Sequence, residues 1–242
     1  MAESGTQCCE NPPVLYSSCG VGHVEEIGGL KCYVSASFNS NLAVILISDV
    51  FGYEAPKLRK LADKVAEAGY YVVVPDFFHG DPINPEIKDR PLYIWIKDHG
   101  TDKGFEEVKP IVESLKHKGM NKIGAVGCCW GAKVVALLAQ SVEYIQAGVF
   151  LHPSFVTEDD IKGVKVPLAI LGAEIDHMTP LQLVNKFDNI LKSKPEVDSF
   201  VKIFNGVSHG WTVRYNDDDA VAVKAADEAH QDMLAWFKKY IK

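Results

Sequence analysis

Six apolar runs of strand length recur along the chain: LAVILIS (42–48), YYVVVPD (70–76), KIGAVGC (122–128), AGVFLHP (147–153), VPLAILGA (166–173) and SFVKIF (199–204). Near-continuous apolarity, rather than alternation, marks strands covered on both faces. Amphipathic stretches separate them. APKLRKLADKVAEAG places Leu58, Leu61, Val65 and Ala68 on one helical face and stops at Gly69. TDKGFEEVKPIVESLKHKG forms a second helix despite Pro110, and GAKVVALLAQ and TPLQLVNKFDNILKSK follow the third and fifth runs. The last stretch, from Asp217, begins acidic and ends in lysines, as the helix dipole favours. Ahead of these, GHVEEIGGLKCYVSAS reads as a hairpin turning at Gly28-Gly29. Alternating strands and helices predict a doubly wound, mostly parallel α/β sheet with an antiparallel hairpin at its start. The expected organisation is an N-terminal arm, 1–22, followed by a single domain, 23–242.

Composition narrows the function. With 242 residues, 47% of them hydrophobic, the chain suits one sizeable core. A net charge of −7 argues against nucleic-acid binding and against anionic membranes. No run approaches the ~20 apolar residues of a membrane span. MAESGTQCCENPP lacks the basic and apolar regions of a secretory signal, so an intracellular, cytoplasmic protein with free thiols is expected. The six cysteines do not form paired CxxC motifs or zinc-finger spacings, which disfavours a structural metal site. Cys8 and Cys9 are expected in a loosely held arm. Nothing in the sequence demands more than a monomer, or a weak dimer.

In a doubly wound sheet, chemistry gathers beyond the carboxyl ends of the strands. There the chain places SDVFGY (48–53), PDFFHGD (75–81), GCCWG (127–131), HPSF (152–155), AEIDHMTP (173–180) and GVSHGW (206–211). The pattern G-x-C-x-G at 127–131 fits a nucleophile elbow with cysteine at its centre. It puts Cys129 at the tip and turns Cys128 back into the structure. At a helix start, the dipole favours a Cys129 thiolate, and the Trp130 N–H faces a developing oxyanion. Taken alone, the motif also suits a buried structural thiol. Asp176 past one strand and His209 in the loop after the last supply an orienting carboxylate and a base, and Cys, Asp, His in this order at strand ends favours a relay.

These residues resemble the dienelactone hydrolase family, the cysteine branch of the α/β-hydrolases. The resemblance runs from about residue 23 to the C-terminus and rests on SDVFG, YYVVVPDFF, GCCWG, LGAEIDHMTP and SHGW in consistent order. It implies an α/β-hydrolase fold of about eight strands, in a plant-type member. Cys129 would be the nucleophile, His209 the general base and Asp176 its orienter, with the backbone N–H groups of Val50 and Trp130 as oxyanion hole. It implies a small ester or lactone as substrate, a thioester intermediate, and no metal or organic cofactor. Bacterial members carry a thiol-activating glutamate where this chain has Asp49, which equally suits a strand-end carboxylate bonded to backbone amides. Arg214 and, with a poorer local match, Arg90 are candidates for gripping a substrate carboxylate, and both also suit surface charge. Phe51, Tyr53, Trp95, His152, Met178 and Trp211 are candidate pocket residues, though aromatics near strand ends commonly serve packing. Competing readings are a β-glucanase, a label some plant relatives carry, a non-catalytic ligand receptor, and a redox pair at Cys128-Cys129, a pairing that adjacent cysteines rarely make without strain.

Overall fold

The apolar runs pair side by side in one sheet. The computed structural model describes residues 7–16, 18–37 and 40–242, so residues 1–6 and 17 of the expected arm lie outside it. The strands are β1 (His23–Ile27), β2 (Leu30–Ala36), β3 (Leu42–Ile47), β4 (Tyr71–Pro75), β5 (Lys122–Cys128), β6 (Ala147–Leu151), β7 (Leu168–Ile175) and β8 (Ser199–Ser208). They lie in the order β1-β2-β4-β3-β5-β6-β7-β8. The pairs β1–β2 and β2–β4 are antiparallel, and every later neighbour is parallel. The hairpin turns at Gly28 and Gly29, both at positive φ. The architecture is an α/β-hydrolase fold.

Among the described residues, seven α-helices cover the two faces: α1 (Pro56–Glu67), α2 (Leu92–Asp98), α3 (Thr101–His117), α4 (Trp130–Leu138), α5 (Glu158–Gly163), α6 (Leu181–Lys192) and α7 (Ala220–Tyr240). Ala43, Ile45 and Ile47 of β3 join one core with α3, α4, α5 and α6. Val44 and Leu46 join the other with α1 and α7. Alternate residues of one strand thus enter opposite cores, which is why the run carries no polar alternation. Helix α3 continues through Pro110. Two short helices, α2 and α5, had no counterpart in the periodicity. Six or seven residues give less than two turns of pattern, and α5 is set instead by a capping box between Thr157 and Asp160. Among the described residues, no helix is long and apolar enough to cross a membrane.

Backbone meets backbone closely at the end of β5. A Cβ added to Gly127 would stand 2.3 Å from the Gly131 carbonyl carbon, and one on Gly131 would stand 2.5 Å from the Ile47 carbonyl oxygen. Both neighbours are backbone and cannot swing aside. Gly131→Ala should therefore destabilise the fold by about 3 kcal/mol and lower Tm by roughly 6–12 °C in a thermal denaturation scan, whereas a methyl added at the open Gly69 meets no atom and adds only local backbone strain.

Candidate active site

The glycine contacts force a sharp turn between β5 and α4, and Cys129 occupies its tip at φ +50°, ψ −108°. Positive φ is costly for a side-chain-bearing residue and persists only where its surroundings dictate it. Here the Cys129 N–H donates to the Leu151 carbonyl at 3.1 Å, and its own carbonyl accepts from Ala132 and Ser154. The two adjacent thiols face apart. Cys128 enters the core shared with α1 and α7, Cys129 the core shared with α4. Gly131 presses α4 against the end of β3, so the Trp130 amide sits beside the loop that carries Val50.

The three residues expected to work together meet at this turn. His209 Nδ1 lies 2.8 Å from Asp176 Oδ2, and both side chains are buried. Asp176 Oδ1 accepts from the backbone N–H groups of Met178 and Thr179, which fixes the carboxylate from its other side. His209 Nε2 points toward Cys129, with Ser154 Oγ 3.5 Å from that nitrogen and 3.4 Å from Cys129 Sγ. Ser154 was not among the sequence candidates. Its only signal was its position in HPSF, one of the strand-end segments.

Burial opposes ionisation of the Cys129 thiol, but the hydrogen bond from Cys8 and the charge of His209, with Arg214 behind them, outweigh it. The thiol is held well below its ordinary pKa. Burial likewise opposes charging of His209, yet the Cys129 thiolate and the Asp176 hydrogen bond push it up to about 9. Both shifts favour a thiolate beside an imidazolium at rest. Burial pushes the Cys128 thiol far up instead, leaving it neutral.

The N-terminal cysteines are not loosely held. Cys8 is fully buried, its Sγ 3.3 Å from Cys129 Sγ and 3.9 Å from His209 Nε2. The Gln7 side chain donates to the Ile175 carbonyl and accepts from the His177 N–H, pinning the segment to the loop that carries Asp176. Arg214 Nη1 donates to the carbonyls of Cys8 and Glu10. No periodicity betrays such a strap, because its attachments are backbone carbonyls and one glutamine. Cavities of about 720 and 530 Å³ flank it, and Pro12, Pro13 and Val14 line both. Cys8, Cys129 and His209 also offer three soft donor atoms within 4.8 Å of one another, a set that a thiophilic metal could use.

Asp49 is buried, with Oδ1 accepting the Phe51 N–H and Oδ2 standing 3.3 Å from Arg214 Nε. Burial raises its pKa to about 6 against the pull of Arg214. Its oxygens go to Phe51 and Arg214 rather than to Cys129. Arg214 is thus no surface charge. Its Nε and Nη2 are buried without hydrogen-bond partners of good geometry. Phe51 lies against its guanidinium, and His152 and Trp211 pack in series against His209. Met178 contributes its N–H to Asp176. The remaining candidates stand elsewhere. Arg90 pairs with Asp81, Trp95 donates to the Asp81 carbonyl, and Tyr53 stacks on Arg59. These three make structural contacts rather than contacts with Cys129.

Residues 30–241 match the model of the dienelactone hydrolase family. The chain belongs to that family. Membership makes it a hydrolase of esters or lactones. The matched segment holds Cys129, Asp176 and His209 and begins after Cys8. Among relatives of the family, the human carboxymethylenebutenolidase homolog is 34% identical over 236 residues, covering 92% of this chain and 96% of that protein. A Zea mays endo-1,3;1,4-beta-D-glucanase is 41% identical over 203 residues, which is 81% of this chain and 65% of that protein's length. The solved dienelactone hydrolase from Anabaena variabilis superposes with a TM-score of 0.68 at 15% identity, covering 95% of this chain and 99% of that one, a likeness of fold.

The charge state of Cys129 is directly measurable. A lowered thiol pKa means that the thiolate survives as pH falls. Iodoacetamide labelling of Cys129, followed by peptide mass spectrometry, should therefore change less than about threefold between pH 8 and pH 6, where an ordinary thiol slows roughly fiftyfold or more. Asp176→Asn removes the carboxylate that holds the imidazolium, and should restore a steep fall toward pH 6.

Proposed function

We propose that this family member cleaves small carboxylic esters or lactones through a Cys129–His209–Asp176 triad and a thioester intermediate. The observation that carries the reading is Cys129 at positive φ at the start of α4, beside a His209 oriented by Asp176 at 2.8 Å. The Cys129 thiolate attacks the carbonyl carbon, and the oxyanion forms toward the Trp130 and Val50 N–H groups. The tetrahedral intermediate collapses as His209 gives its proton to the leaving alkoxide. His209 then takes a proton from water, which attacks the thioester and frees the acid and the thiolate. Arg214, whose Nη2 is buried without a hydrogen-bond partner while its Nε faces Asp49 at 3.3 Å, suits a carboxylate on the substrate once the arm withdraws. Asp49 anchors that arginine, and its position does not support direct thiol activation.

A glucanase reading is favoured by the maize relative. Glycoside hydrolysis needs two carboxylates facing each other across a cleft. Asp176 spends both oxygens on His209 and two backbone amides, and Asp49 is committed to Phe51 and Arg214. The ester reading is the stronger one.

With p-nitrophenyl acetate, Cys129→Ala should lower kcat/KM by roughly a thousandfold or more, while Cys128→Ala and Ser154→Ala each stay within about tenfold of the parent. Equal loss in Cys128→Ala and Cys129→Ala, or a greater loss in Ser154→Ala, overturns the assignment of the nucleophile. Reducing sugar released from mixed-linkage glucan by the Cys129→Ala protein would favour the glucanase instead. For the carboxylate subsite, Arg214→Met should raise KM for a carboxylate-bearing lactone about tenfold more than for a neutral ester. Equal effects on the two would remove Arg214 from substrate binding.

A further inference from the structure

The ester chemistry gives no task to Cys8, yet the arm brings its sulfur to 3.3 Å from the sulfur of Cys129. Everything around that contact holds it in place. Gln7 is bonded to Ile175 and His177 on one side, and Arg214 holds the carbonyls of Cys8 and Glu10 on the other. The two sulfurs need to close by little more than an ångström to reach a bond of about 2.0 Å. Metal ligation fits the same contact less well. Two thiolates bound tetrahedrally at about 2.3 Å from zinc stand about 3.8 Å apart, farther than the separation seen here.

We propose that Cys8 and Cys129 form a peroxide-responsive dithiol, whose oxidation to a disulfide latches the arm over the active site and shields the nucleophile from irreversible damage. Cys129, 121 residues from Cys8 in sequence and brought to it by the fold, becomes the attacking thiolate. It attacks one oxygen of hydrogen peroxide, the O–O bond breaks, and the departing hydroxide takes the proton of the His209 imidazolium. This yields a Cys129 sulfenic acid and one water. His209, now neutral, lies 3.9 Å from Cys8 Sγ and removes its proton. The Cys8 thiolate attacks the Cys129 sulfur, the S–O bond breaks, and the second hydroxide leaves as water with the proton from His209. Two thiols are oxidised and one peroxide is reduced to two waters.

The consequence for activity is steric. Cys129, Asp176 and His209 are all buried, and the Cys8 sulfur stands against Cys129 and His209, so an ester takes the place of the arm to reach the nucleophile. A disulfide forbids the arm's withdrawal and occupies the nucleophile. A thiol reductant reverses both. Cys9 is the neighbouring alternative partner, but it is only partly buried and makes no sulfur contact with Cys129.

The test treats the full chain with a large molar excess of hydrogen peroxide in EDTA, then reduces it with a phosphine. Peptide mass spectrometry of the oxidised protein should show Cys8 linked to Cys129, and the same link should persist in Cys9→Ser. This readout needs no ester turnover, so it stands or falls apart from the triad reading. Turnover of p-nitrophenyl acetate, normalised to each protein's own reduced rate, should return almost fully in the parent and at least about fivefold less in Cys8→Ser, whose Cys129 advances to sulfinic acid. Absence of the link, a link through Cys9, or equal recovery in Cys8→Ser and parent overturns the proposal. So does inhibition that EDTA relieves and the phosphine does not, since that behaviour belongs to a bound metal.

Discussion

Backbone pressed against backbone, where α4 leaves β5 and meets the end of β3, is the contact on which the site depends. Two glycines permit it, because neither Gly127 nor Gly131 has room for a Cβ. The approach forces Cys129 into a conformation that costs on the order of 1–3 kcal/mol, offset by hydrogen bonds that engage its N–H and carbonyl. That conformation separates the two adjacent thiols. One packs under the sheet, where burial keeps it neutral, and the other stands at a helix N-terminus, where its charge is welcome.

The second constraint is charge in a buried place. Cys129, Asp176 and Asp49 carry or can carry negative charge, and His209 and Arg214 oppose it. The anions outnumber the cations by one, and burial makes such an excess expensive. Asp49 absorbs the strain: burial, with the nearby Cys129 thiolate adding to it, raises its pKa to about 6. Sign follows from direction. A carboxyl with a raised pKa binds its proton more readily in the fold than in the unfolded chain, so an ionised Asp49 costs stability above that value and relaxes as pH falls through it. Its shorter side chain, relative to the glutamate of bacterial members, is thus tied to Arg214 rather than reaching the thiol.

The candidate site was legible in sequence because its residues sit at strand ends, and strand ends are marked by where apolar runs stop. GCCWG, AEIDHMTP and GVSHGW each follow such a run, and the sheet order then brings Cys129, Asp176 and His209 together. Ser154 lay in a segment of the same kind, but a serine without a glycine frame carries no signal of its own. Arg90, in the loop before α2, and Trp95, within α2, both bond to Asp81, which satisfies them locally. The arm was the least legible part. Gln7 and Cys8 reach partners more than a hundred residues away, through contacts that leave no period in the sequence.

The arm also links recognition to access. While it is closed, Arg214 spends its Nη1 on the carbonyls of Cys8 and Glu10, two dipoles facing one full charge. When the arm leaves, Nη1 loses both carbonyl acceptors, and the buried Asp49 carboxylate 3.3 Å from Nε is the partner that remains. A substrate carboxylate would replace two neutral acceptors with a charge-assisted pair, roughly twice as strong. A neutral ester offers no such replacement and must open the site against the full loss. If Arg214 grips the substrate as proposed, the energy that closes the strap would discriminate between substrates, through an arginine that never touches the reacting bond.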